Sequence, residues 1–148
     1  MQRESFCRAR VLALVLLSLF TALACSSKAD RIEVRVVVVA MFERGSVQDD
    51  EPGELQLWVE RLGLVNEYEF PLGQDVLRMN DDGVMSILVG GGIPNATASI
   101  MALGTDDRFD LTNAYWLVAG IAGGDPADVS LGSAVWAKHV VDGDLKYQ

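Results

Sequence analysis

The sequence predicts an α/β domain: a sheet containing parallel strands, with crossover helices packed against it. Three observations predict this. The run Val36–Val39 is β-branched with no polar alternation, as suits a strand buried on both faces under helices. Segments of helical spacing alternate with strand segments along the chain, the order that builds α/β layers. Two glycine-rich stretches, Gly90–Gly92 and Gly120–Gly124, each follow a strand segment, where open α/β sheets form their ligand crevices.

The N-terminus stands apart from this domain. Arg3, Arg8 and Arg10 precede an uncharged run, Val11–Ala24, that ends in Ala22-Leu23-Ala24. Fourteen residues make a helix of about 21 Å, short of a hydrocarbon core of about 30 Å. A basic start, a short apolar centre and a small-residue end read as a secretory signal peptide over residues 1–24. Cys25 follows directly, and two outcomes are open: lipidation of Cys25 as in a bacterial lipoprotein, or simple cleavage. Residues 25–33 form a polar linker, and the domain begins at residue 34.

Glu33–Phe42, spanning the last linker residue and the start of the domain, is the first strand. Gly53–Leu62 places Leu55, Trp58, Val59 and Leu62 at helical spacing, and Gly63 stops that helix. Val65–Phe70 and Val76–Met79 are short strands, and the turn Asn80-Asp81-Asp82-Gly83 joins the latter to Val84–Val89 as a hairpin. Asn95–Leu103 is a helix opened by Asn95 as its cap. Tyr115–Ala119 is expected to be a buried strand, and Gly132–Val141 a further strand. No closing helix follows it, so a truncated or split domain is expected, since such a sheet needs both faces covered.

Composition narrows the chemistry. The chain carries 12 basic and 21 acidic residues, net −9, and three of the basic residues lie in the leader. So acidic a surface repels a phosphate backbone, which argues against nucleic acid as partner. Asp49-Asp50-Glu51, Asp81-Asp82 and Asp106-Asp107 read as solvated loop charge. With Cys7 in the leader, Cys25 and one histidine, His139, neither a disulfide nor a zinc site is expected, and no cofactor is implied. His139 reads as structural or surface, Trp58, Trp116 and Trp136 as core. Asn95-Ala96-Thr97 matches a glycosylation sequon but is read as the helix cap.

The glycine stretches carry the functional signal. GGGIPNATASI (Gly90–Ile100) is neither a dinucleotide fingerprint nor a P-loop, yet its glycines let backbone approach a ligand. GGGIPNATASI is similar to the Gly-x-Gly-Ile-Pro-Ser-x-Ser-Ile stretch of hexameric purine nucleoside phosphorylases. AGIAGGDPADVSLGSAVWA (Ala119–Ala137) resembles the matching loop of phosphorylases and methylthioadenosine nucleosidases. VVVVAMFE has the look of their first strand. Taken together over residues 34–148, the sequence most resembles the purine nucleoside permease family. The resemblance implies the N-terminal part of a nucleoside phosphorylase/hydrolase-like three-layer fold with purine nucleoside as ligand. Gly91 and Gly92 would line one side of the pocket, and Ala122, Gly123 and Gly124 the other. Glu43, near the acid that ends the first strand in the nucleosidases, would be a general base. The phosphorylases hold phosphate with Arg-Val-Gly-Ser. Aligned on Gly120, Val118 and Ile121 stand in the arginine and serine positions and cannot hold an oxyanion.

The expected function is therefore an exported purine nucleoside-binding protein serving uptake, located in the periplasm or cell envelope. Its contact with the membrane would come only through the leader or a lipid anchor, and a homo-oligomer fits the resemblance. The alternatives are an exported purine nucleosidase using Glu43, or an inactive truncated remnant.

Overall fold

A computed structural model describes residues 30–141. The leader and Cys25 lie outside the described residues. The described unit begins at Ile32 and is a mixed α/β structure with two helices and two sheets.

The first strand segment divides in two. Strand β1 (Ile32–Glu33) pairs in parallel with β6 (Phe109–Asp110), and β2 (Val36–Ala40) enters the main sheet. The break falls where hydrogen bonding changes partner: Val34 N–H donates to the Asp110 carbonyl at 3.0 Å and Arg35 N–H to the Gly83 carbonyl at 2.8 Å. The main sheet also contains β3 (Asn66–Tyr68), β4 (Leu77–Met79), β5 (Val84–Leu88) and β7 (Tyr115–Val118), in the order β3-β4-β5-β2-β7. Strands β5 and β7 flank β2 and run parallel to it, while β3–β4–β5 is an antiparallel meander. The expected hairpin forms, with Arg78 opposite Ser86 and Met79 opposite Met85.

Both faces of β2 are covered, as its apolar run requires. Val37 and Val39 join Met85, Ile87, Val89, Leu103 and Phe109 in one core, against which Ala96 and Ile100 pack. Those helical residues belong to α2 (Ile93–Gly104), whose inner face is Ala96, Ser99, Ile100 and Leu103. On the other face Ala40 meets Leu55, Val59 and Leu64 around α1 (Gln56–Leu62). Gly63 ends α1 in the left-handed region (φ 59°), and Leu64 N–H returns to the Val59 carbonyl at 3.0 Å.

Four expectations are corrected. Tyr115–Val118 is an exposed edge strand rather than a buried one: Tyr115 is 81% and Val118 72% exposed, because among the described residues β7 pairs on one side only and none of its residues joins either core. Gly132–Val141 forms no strand, since no ladder partner lies beside it among the described residues; Trp136, 81% exposed, is not core. Trp116 is likewise exposed, and Trp58 half-buried. Helix α2 begins two residues before Asn95, capped by Gly92, so Asn95 sits in its first turn. Pro94 occupies an early helical position, where a missing N–H costs nothing.

Candidate functional site

The parallel arrangement of β5, β2 and β7 brings three loops to one edge of the sheet. Val89 N–H donates to the Ala40 carbonyl at 2.9 Å, and Ala119 N–H to the Val39 carbonyl at 2.8 Å. The ladder thus holds both neighbours of β2 up to the roots of their loops. With strands about 4.8 Å apart, those roots stand about 10 Å from each other across the end of β2. This is also where the connections diverge, β5 lying on one side of β2 and β7 on the other, the crevice geometry of open α/β sheets.

The first loop is Gly90–Gly92. Gly90 has φ +80°, and a Cβ there would meet Asn95 Cβ and Gln74 Cγ, each at 3.2 Å. Gly92, with φ +86°, turns the chain into α2. A Cβ on Gly91 would meet nothing within 4 Å, so its backbone faces open space. Asn95 folds back over this loop, its side-chain amide donating to the Gly91 carbonyl at 2.8 Å. In the second loop Ala122, Gly123 and Gly124 are exposed, and Gly123 likewise has open space beside it. Gly91 and Gly92 therefore stand on one side of β2, and Ala122, Gly123 and Gly124 on the other. Val118 and Ile121 are exposed and apolar, 72% and 67% accessible.

Glu43 lies on the third loop, following β2, and its carboxylate is occupied. It accepts backbone N–H groups from Arg44 and Leu55, each at 2.8 Å, and from Gly53 and Gln56. Leu55, the N-cap residue of α1, has no side-chain acceptor of its own; Glu43 supplies the cap from outside the helix. Burial pushes the Glu43 carboxyl up, and the hydrogen bonds from Arg44, Gln56, Gly53 and Leu55 outweigh that and hold it below its ordinary value. Such a carboxylate is a good acceptor and a weak proton acceptor.

Sequence reasoning missed Glu54. It is 8% exposed, and its two oxygens accept Met41 N–H at 2.8 Å and Ile121 N–H at 3.2 Å. Nothing in the local pattern separates it from the acids of the preceding loop; its role comes from a partner 67 residues away.

A cavity of about 510 Å³ lies elsewhere, among Ser46, Val47, Val59, Leu64, Glu67, Asp75 and Arg78. Arg78 there donates to Asp75 at 2.7 Å and Glu67 at 3.0 Å, so two carboxylates already answer its charge. None of the glycine-loop residues lines it. Among the described residues no group of side chains is arranged to hold a metal ion, and no helix is long and apolar enough to cross a membrane.

The family model of the purine nucleoside permeases matches residues 33–148. A purine nucleoside permease of Candida albicans is 35% identical over 95 residues, covering 62% of this chain and 23% of that protein. A probable purine nucleoside permease of Schizosaccharomyces pombe is 45% identical over 62 residues, covering 42% of this chain and 18% of that protein. The chain spans less than a quarter of the length of the curated relatives it matches. No solved structure matches it.

Proposed function

The chain belongs to the purine nucleoside permease family, and on that premise we propose that it binds a purine nucleoside at the end of β2 as part of nucleoside uptake. The observation that carries the proposal is the pair of glycine loops flanking β2 at one sheet edge. Gly91 and Gly92 approach the ligand from the β5 side, and Ala122, Gly123 and Gly124 from the β7 side. Open space beside Gly91 and Gly123 leaves room for a ribose and a purine edge against the main chain of the two loops, as in small-ligand sites with few placed polar groups.

Binding rather than turnover is the favoured reading. Cleavage of the glycosidic bond by water needs a general base with a free lone pair near the attacking water. Glu43 spends its oxygens on four main-chain donors instead. Phosphorolysis needs a grip on an oxyanion, and Val118 and Ile121 offer none. We further propose that the protein works in the cell envelope, with the leader at residues 1–24 directing export and Cys25 available for lipidation.

Titration calorimetry of the full chain with adenosine, inosine and guanosine, against cytidine and uridine, tests the proposal. Saturable heat with the purine nucleosides alone is expected, with no free base by chromatography. Absence of heat with every purine nucleoside refutes binding, and release of base with full turnover refutes the preference for capture over hydrolysis.

A further inference from the structure

We propose that Glu54 is a positioning residue for the second glycine loop, fixing its shape by tying Ile121 to the end of β2. The proposal rests on the nucleoside-binding reading for its functional consequence, but its structural part stands on the geometry alone. Past Ala119 the β2–β7 ladder ends. Among the described residues, the bond from Ile121 N–H to Glu54 Oε1 at 3.2 Å then links Gly120–Gly124 to the body of the fold. The loop residues themselves are exposed, and exposed loops without anchors sample many conformations.

Glu54 is built to serve as that anchor. Its own N–H donates to the Phe42 carbonyl at 3.2 Å, and the next residue, Leu55, is 1% exposed in the core. The base of the side chain is therefore held while its two oxygens reach different segments, Oε2 to Met41 N–H at 2.8 Å and Oε1 to Ile121 N–H. Gly120 makes the approach possible: a Cβ there would sit 3.0 Å from Glu54 Oε1 and 2.9 Å from Met41 Cε. The loops following β2 and β7 are thus fastened to each other through one buried carboxylate. A carboxamide cannot replace it, because glutamine has a single oxygen acceptor and would turn donor hydrogens toward one of the two N–H groups.

The experiment compares the full chain with Glu54→Gln, Ile121→Pro and Val59→Ala. Val59→Ala cuts a buried side chain of α1 and controls for stability alone. Hydrogen exchange at Ile121, adenosine titration and the thermal midpoint are read together. Glu54→Gln is expected to speed exchange at Ile121 about tenfold and to raise the adenosine Kd about tenfold, the loss of one hydrogen bond to a charged group. Ile121→Pro, which removes the donor in an exposed loop and leaves Glu54 in place, is expected to weaken adenosine to the same extent. Val59→Ala should lower the midpoint and leave the Ile121 exchange and the Kd unchanged. Unchanged protection of Ile121 in Glu54→Gln, or weakening by Val59→Ala equal to that by Glu54→Gln, overturns the proposal. If the unaltered chain binds no adenosine, the functional reading fails separately, and Ile121 exchange still decides what Glu54 holds. Should Glu54→Gln not fold, unweakened binding in Ile121→Pro overturns the proposal.

Discussion

Replacing Glu43 separates a structural carboxylate from a catalytic one. In Glu43→Ala, the N–H groups of Gly53, Leu55 and Gln56 at the start of α1 lose their acceptor, while that of Arg44, in an exposed position, turns to water. One helix-capping bond contributes about 0.5–2 kcal/mol. Three partly buried ones at roughly 1 kcal/mol each, reduced by water reaching the helix end, give a loss of about 2 kcal/mol. Glu43→Gln keeps one oxygen acceptor and so loses about half of that, about 1 kcal/mol. For a domain of this size, about 4 °C of midpoint per kcal/mol puts Glu43→Ala about 8 °C below the unaltered chain. The assay is urea unfolding followed by tryptophan fluorescence, since Trp58 lies half-buried on α1. The pH dependence follows from the sign of the shift. Because the folded-state pKa of Glu43 is depressed, its contribution is present above the unfolded value of about 4.3 and is lost as pH falls through the folded value. The gap between Glu43→Gln and the unaltered chain should therefore narrow progressively as pH falls below the unfolded value. Equal stability of Glu43→Ala and the unaltered chain at pH 7, or a gap that widens in acid, would refute the capping account.

Three further outcomes follow from packing. Phe109→Ala should cost about 3–5 kcal/mol in urea unfolding, since Phe109 is 2% exposed and meets Tyr68 edge-on at 5.2 Å. Ser86→Ala should be neutral or stabilising by up to about 1 kcal/mol, because the Ser86 hydroxyl oxygen is buried with no hydrogen-bond partner among the described residues; a clear loss of stability would contradict this. Gly91→Val should leave the thermal midpoint nearly unchanged, as its Cβ meets nothing within 4 Å, yet weaken purine nucleoside binding in calorimetry by crowding the ligand side of the loop.

What the sequence shows and what it hides divide along a physical line. Val36–Val39 announced a strand buried on two faces because β-branched apolar residues without polar alternation have no solvent face to present, and the structure covers both. Gly63 and the Asn80–Gly83 turn were legible for the same local reason, since backbone conformation there depends on nearby residues. Tyr115–Val118 misled because its apolar content says nothing about its neighbours; as an edge strand it is exposed. Val135 and Trp136 misled similarly, for without a partner strand β propensity builds no ladder. Asn95 has the residue type of a cap, but Gly92 with φ +86° takes the cap position and Asn95 clamps the glycine loop instead. Glu43 stood out through resemblance and Glu54 not at all, because each owes its role to donors brought together only by the fold. The glycine loops themselves were visible, and their shared sheet edge follows from β5 and β7 both running parallel to β2.

Photoaffinity labelling of the full chain with 8-azidoadenosine, followed by peptide mapping, tests the location of the site most directly. Labelling that maps to residues 89–95 and 119–125, and that excess adenosine suppresses, is the predicted result. Labelling confined to the cavity around Arg78, or labelling that adenosine leaves unchanged, would contradict it.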